Sequence, residues 1–194
     1  MAKVGILVDN MYLEHAASLY GAWPSDISKL PKVVMDTQDE LYNTWVFDAL
    51  PYVPKENPTG DQIERKKRKA NYLTALQYKE RIAVETGYVT PKMKKCNSCG
   101  AINIVPVQKL VDVKISVRMV ALAWSDAVDK IVLVSGDGDL VPAVREAEDS
   151  ANKIVKLAFV RSTEVNTAPA LIKICREKRE LTPQDLQFLK FNKT

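Results

Sequence analysis

Apolar and polar positions follow two rhythms along this chain. Short β-branched runs at Lys3–Val8, Tyr42–Tyr52, Arg81–Thr90, Asp129–Val134 and Lys153–Val160 have the length and composition of strands buried in a sheet. Between them apolar residues recur at helical spacing: Leu13, Ala16, Ala17 and Tyr20 in Asn10–Tyr20, Ile63, Ala70, Leu73 and Leu76 in Gln62–Lys79, and Ile115, Met119, Leu122 and Ala123 in Val111–Trp124. The same spacing predicts helices over Pro142–Ser150 and Asn166–Arg176, and a short one within Asp26–Leu41. Val53–Asp61, with two prolines and a glycine, reads as a loop, and Gly87 as a bulge or bend in the third strand. Pro91–Ala101 reads as a loop inserted before a short strand or extended return at Ile102–Val107. Thr182-Pro183 opens a capped helix in the tail. Strand–helix alternation of this kind predicts an α/β fold, a central parallel sheet with helices on both faces. The expected organisation is one body over residues 1–180, carrying the basic helix 62–79 and the insertion 91–101, followed by a tail, 181–194.

The polar residues at the strand ends carry the candidate chemistry. Asp9 follows the first strand, and Ser135-Gly136-Asp137-Gly138-Asp139 follows the fourth. Ligands of an open α/β sheet bind beyond the carboxyl ends of its strands, so neighbouring first and fourth strands would bring Asp9, Asp137 and Asp139 together. Asp112, at the start of the helix before the fourth strand, can join them. Such a group repels itself unless a counter-charge arrives, and a hard divalent cation with oxygen ligands, Mg²⁺ or Mn²⁺, supplies one. Each part has a plainer role as well: Asp9 as a helix cap, Asp-Gly-Asp as a turn. Gly136 and Gly138 are expected to allow a sharp turn and leave room for a phosphate, with Ser135 donating to a phosphate or a bound water.

Composition narrows the setting. At 46% hydrophobic and 27% charged residues, the chain is ordinary for a globular domain. No apolar run approaches the ~20 residues of a membrane span. Met1-Ala2-Lys3 and the short run after it lack the features of a signal peptide, so a cytoplasmic protein is expected. The net charge of +4 permits nucleic acid without requiring it, and its distribution says more. Arg65, Lys66, Lys67, Arg68 and Lys69 stand in a row on one helix, pointing all round its axis, and Lys92, Lys94 and Lys95 form a second basic patch. Tyr72 and Tyr78 lie near enough to stack on unpaired bases. Three cysteines argue against a disulfide scaffold. Cys96 and Cys99 make half of a Zn²⁺ site, and ligand count favours a tight turn over a complete one, unless Cys175, His15, a carboxylate or a second copy in a homodimer completes it.

Three stretches, VGILVDNMYL (4–13), KLVDVKISVRMVALA (109–123) and IVLVSGDGDLVPAVREA (131–147), resemble in this order the NYN domain, a PIN-like nuclease family grouped with LabA-type proteins. The match covers most of residues 3 to 176. The resemblance implies a PIN-like Rossmannoid fold, a divalent metal and endoribonuclease chemistry on RNA, with single strands the expected substrate. It carries Asp9, Asp112, Asp137 and Asp139 over as metal-binding acids, and Asn10, Lys109 and Ser135 as their polar neighbours. Arg118 departs from it, standing where the family has a second aspartate. Three roles fit that cation: pairing with Asp112 or Asp139 in place of a metal, gripping a phosphate, or an engineered inactivation. Leu110 stands where the family often has glycine. A Toprim domain would carry glutamate in place of Asp9, and a haloacid-dehalogenase phosphatase a second aspartate at Met11. Two alternatives accompany the ribonuclease reading: an RNA-binding or regulatory protein whose metal site Arg118 has disabled, and a DNA- or phosphoester-directed hydrolase.

Overall fold

Val4 to Asp9 is buried without interruption, as befits a strand with neighbours on both edges and cover on both faces. It belongs to β1 (Lys3–Asp9), the centre of a six-stranded sheet in the computed structural model, which describes residues 1–191 with the side chain of Asn103 excepted. Residues 192–194 of the expected tail lie outside the described residues. The other strands are β2 (Glu40–Asp48), β3 (Ile82–Thr86), β6 (Lys130–Val134), β7 (Ile154–Phe159) and β8 (Glu177–Glu180), in spatial order β3-β2-β1-β6-β7-β8. Every pairing in this sheet is parallel. The chain winds outward from β1 to one edge, then from β6 to the other, so the order reverses between β1 and β6. That reversal opens a crevice at the carboxyl ends of these two strands.

Helices α1 (Asn10–Leu19), α3 (Gly60–Gln77) and α7 (Pro183–Phe188) cover one face. There Val4, Ile6 and Val8 meet Leu13, Ala16, Leu73, Leu76 and Leu186. Helices α4 (Val111–Ala123), α5 (Val141–Arg145, continued as a wider turn over Glu146–Ser150) and α6 (Pro169–Ile174) cover the other. Leu7, Trp45 and Phe47 there pack on Ile115, Met119, Val144 and Leu171. The two-residue alternation of side chains along β1 and β2 divides the core between these layers.

Three expectations need correction, and a fourth, the short helix within Asp26–Leu41, is met. The predicted strand Arg81–Thr90 breaks at Gly87, which is no bulge but the point where the chain leaves the sheet. Its N–H donates to the Asp48 carbonyl at 2.8 Å, and a Cβ there would stand 2.3 Å from the Lys109 carbonyl oxygen. The predicted loop Pro91–Ala101 begins as strand: β4 (Tyr88–Lys95) and β5 (Ile102–Lys109) form an antiparallel hairpin with Cys96–Gly100 at its tip. Pro91 and Pro106 face each other across it, a pairing that a two-stranded ribbon tolerates and that hid the strand from a reading by composition. The predicted helix Asn166–Arg176 is shorter, and the chain after it becomes β8, an edge strand of four charged residues, Glu-Lys-Arg-Glu. Within Asp26–Leu41 the helical content is one short turn at Ile27–Lys29 and α2 (Pro31–Val34). Among the described residues no helix is long and apolar enough to cross a membrane.

Candidate active site

β1 and β6 lie side by side, with Val8 opposite Val134, so the chain leaves both strands at the same rim. Asp9 caps α1: its Oδ1 accepts from the amides of Met11 and Tyr12 at 3.1 and 3.2 Å. Its Oδ2 accepts from the hydroxyl of Ser135 at 3.3 Å, and the same hydroxyl accepts from the Asp137 amide at 3.2 Å. A three-atom relay thus ties the loop after β6 to the end of β1. The plain role of Asp9 as a helix cap therefore holds through one oxygen, while among the described residues no cationic side chain pairs with its carboxylate. Burial pushes this carboxyl up, against the pull of the Tyr12 amide and of Ser135, and the charges of Asp112 and Asp48 add to the rise, which reaches about 6.

Asp112 sits in the first turn of α4, where the helix dipole favours a carboxylate. Desolvation against the body, then the charges of Asp137 and Asp139, raise it above the usual carboxylate range. Asp137 opens a short helical turn by accepting from the Asp139 amide at 2.9 Å. The glycines around Asp137 work differently from expectation, since neither has a positive φ. At Gly136 a Cβ would lie 2.3 Å from the Asn166 carbonyl oxygen and 2.6 Å from the Tyr12 ring, so this glycine admits its neighbours' packing rather than a phosphate. Ser135 is fully buried and serves as a brace between Asp9 and Asp137.

Sequence reasoning missed Asp48. It ends β2, the neighbour of β1 on the other side, and its carboxylate is almost wholly buried. The signal is a third apolar run closing on an aspartate, masked because apolar and aromatic residues continue to Tyr52 beyond the end of β2. Asp48 has its own partners: Asn10 Nδ2 at 2.5 Å, the Ala49 amide at 2.7 Å and Lys69 Nζ at 2.8 Å. Lys69 also binds Glu14. One member of the basic run is therefore an internal counter-ion, while Arg65, Lys66, Lys67 and Arg68 are exposed. Asn10 is fully buried, and its Oδ1 has no donor.

Arg118 neutralises neither Asp112 nor Asp139. It lies six residues along α4, roughly 9 Å at 1.5 Å per residue, and pairs with Glu85 on β3 at 2.6 Å while lying over the Trp45 ring at 5.3 Å. Lys109, the last residue of β5, is exposed. Leu110 adopts φ 72°, a left-handed conformation that accounts for glycine being favoured at such a position. Tyr72 is held by Trp23, edge to face at 4.9 Å, and by its hydroxyl donating to the Ser25 carbonyl at 3.0 Å, whereas Tyr78 is exposed. At the hairpin tip the Cys96 thiol is lowered by the backbone amides of Cys99 and Ser98. Cys175 is buried in the core beneath α6, apart from that tip.

The donor set tests well against a hard divalent cation. Asp9, Asp112, Asp137 and Asp139 offer oxygen only, none of them has a cationic side chain as partner among the described residues, and the buried Asn10 Oδ1 is an oxygen without a donor. Among the described residues no three His, Cys, Asp or Glu side chains already stand close enough to enclose an ion. The carboxylates feel one another's charge, Asp9 that of Asp112 and Asp112 those of Asp137 and Asp139, without enclosing an ion.

A parallel sheet ordered around a β1–β6 crevice, with acids at its carboxyl rim, defines a Rossmann-like α/β protein. The family model of the NYN domain matches residues 3–181, nearly the whole chain, and the protein belongs to this family within the PIN-like nuclease superfamily. A crystal structure of a protein of unknown function from Vibrio parahaemolyticus is similar over 93% of each chain, with a TM-score of 0.56 and 20% sequence identity, a likeness of fold. No curated protein matches the sequence.

Proposed function

We propose that the protein is a metal-dependent endoribonuclease acting on single-stranded RNA. The observation that carries this reading is a division among the rim carboxylates. Asp48 and Glu14 are answered by Lys69, whereas among the described residues no cationic side chain pairs with Asp9, Asp112, Asp137 or Asp139. Those four would hold one or two Mg²⁺ or Mn²⁺ ions, which polarise a phosphodiester and acidify a water. Ser135 fixes one oxygen of Asp9 and the amide of Asp137, so the two ends of the cluster keep their orientation. Asn10, fully buried and clamped through its Nδ2 to Asp48, holds the end of β2 against the start of α1 and would act as a support for the rim rather than as a substrate contact. The exposed cations Arg65 to Arg68, with Lys109, attract the RNA backbone. The pairing of Arg118 with Glu85 favours an active protein over an impaired one, because the cation does not fill the acidic rim.

The test is cleavage of a labelled single-stranded RNA with Mn²⁺ titrated in, beside single-stranded DNA and a small phosphoester. RNA cleavage that EDTA abolishes is expected, with Asp137→Asn and Asp139→Asn each lowering the rate at least about 10²-fold, the scale for losing one charge-stabilising group. Arg118→Asp should gain nothing over the wild type. Mn²⁺ binding and cleavage only in Arg118→Asp would instead make the natural protein an RNA-binding one. Preference for DNA or for the small phosphoester would reassign the substrate.

A further inference from the structure

Beside the carboxylate rim lies a cavity of about 680 Å³, walled by α1, α3, the segment after β2 and the β4–β5 hairpin. This is the size range of small-ligand sites. Asp48 and Glu14 line it and share Lys69, which offsets one of their two charges and leaves the other to the arginines on the wall. Trp23 and Tyr52 give it aromatic surface, Arg65 and Arg68 place exposed cations on its wall, and Gln108 from β5 contributes an amide nitrogen that is buried and has no acceptor. An unpartnered buried donor is costly unless a ligand supplies the acceptor. Aromatic faces, one unsatisfied amide and two arginines are the features that bind an unpaired base and its phosphate. Asp48 ends β2, the strand hydrogen-bonded to β1, and Asn10, the residue next to Asp9, donates to its carboxylate.

We propose that this cavity receives the base of an unpaired ribonucleotide flanking the bond to be cut, with a base acceptor on Gln108 and a phosphate on Arg65 and Arg68. The proposal rests on the reading that the chain acts on RNA, and it names where a nucleotide of that substrate sits. A free nucleotide carries the same groups, so the test must separate it from a strand.

Fluorescence anisotropy in EDTA, which keeps the strand intact, measures binding of a decamer of oligoadenylate or oligouridylate and of a ribose-phosphate decamer lacking bases. Tyr52→Ala and Gln108→Leu are each expected to weaken the base-bearing strand about tenfold, the scale of one lost base contact, and to leave the abasic strand unchanged. Arg65→Ala with Arg68→Ala is expected to weaken both strands and flatten their salt dependence. The proposal is overturned if Tyr52→Ala and Gln108→Leu bind like the wild type, or weaken both strands equally. A mononucleotide that binds as tightly as the decamer overturns the assignment to a strand. Base-dependent binding without Mn²⁺-dependent cleavage would sink the nuclease reading and leave the pocket. Cleavage with both pocket variants indistinguishable from the wild type would do the reverse.

Discussion

Asp9→Asn should make the metal-free protein more stable, because the fold holds an ionised carboxyl where it disfavours one. Burial, with Asp112 and Asp48 adding repulsion, raises this group from 3.8 to about 6. At roughly 1.4 kcal/mol for each pH unit, keeping the carboxylate charged at neutral pH costs on the order of 3 kcal/mol. The sign follows from linkage: above pH 6 both folded and unfolded chains are ionised and the full cost applies. As pH falls through 6 the folded protein takes up a proton that the unfolded chain does not take until about 3.8, so wild-type stability rises over that window. Asparagine keeps the cap to the Met11 and Tyr12 amides and is as good a capping residue. Urea unfolding in EDTA, followed by tryptophan fluorescence, should therefore show Asp9→Asn about 2–3 kcal/mol more stable at pH 7.5, with the gap closing toward pH 4. Saturating Mn²⁺ should stabilise the wild type and not the variant. A variant no more stable than the wild type at pH 7.5, or a gap that does not move with pH, would refute the account of a strained carboxylate.

Two further substitutions test the supports of the site by chemical denaturation. Lys69→Met leaves the Asp48 carboxylate buried without its counter-ion and should cost about 3 kcal/mol, while adding Asp48→Asn should return most of it; a loss under about 0.5 kcal/mol would mean that the pair is not a buried one. Gly136→Ala should cost at least about 1–3 kcal/mol through overpacking, because its Cβ meets the Asn166 carbonyl and Tyr12, whereas at Gly138 the nearest atom, the Ala168 Cβ, is 3.1 Å away and the cost should be small.

What the sequence disclosed, and what it hid, follows from which forces act locally. Apolar runs closing on Asp9 and on Ser135–Asp139 were legible because a strand buried on both faces must be apolar along its length. The adjacency of β1 and β6 was only a condition there, since strand order is set by packing across the sheet. Asp48 was hidden because apolar and aromatic residues continue past it, masking the strand's end. Lys69 was hidden among four exposed cations: a count of charges cannot tell which one turns inward to Asp48 and Glu14. β8 and the part of β4 beyond Thr90 were missed because an exposed strand needs no apolar run, so Glu177–Glu180 and Lys92–Lys95 carry charge where the pattern expects burial, whereas β5 kept enough apolar residues to be expected at Ile102–Val107. Gly136 and Leu110 show the same limit from the backbone side: one is required by a contact with distant Asn166, the other tolerates a left-handed turn without glycine.

The position of one lysine has a larger consequence. Five aspartates reach the rim, Asp9, Asp48, Asp112, Asp137 and Asp139, and burial first, with their mutual repulsion added, raises the carboxyls of Asp9 and Asp112. Lys69 answers Asp48 and Glu14 and its side chain is nearly buried, so its charge is fixed on one side of the crevice. That side holds the aromatic cavity and the arginines, the place proposed for a base and its phosphate. The other side keeps its negative charge, which is what a cation requires and what a bare phosphate avoids. Asn10 stands on the boundary, one end of its amide bound to Asp48 and the other unpartnered. An RNA strand entering from the cavity would thus be held first by its base and flanking phosphate, and its next phosphate could approach the acidic rim only with a cation already there. Binding and chemistry would then depend on metal differently: strand affinity should survive EDTA, and cleavage should not.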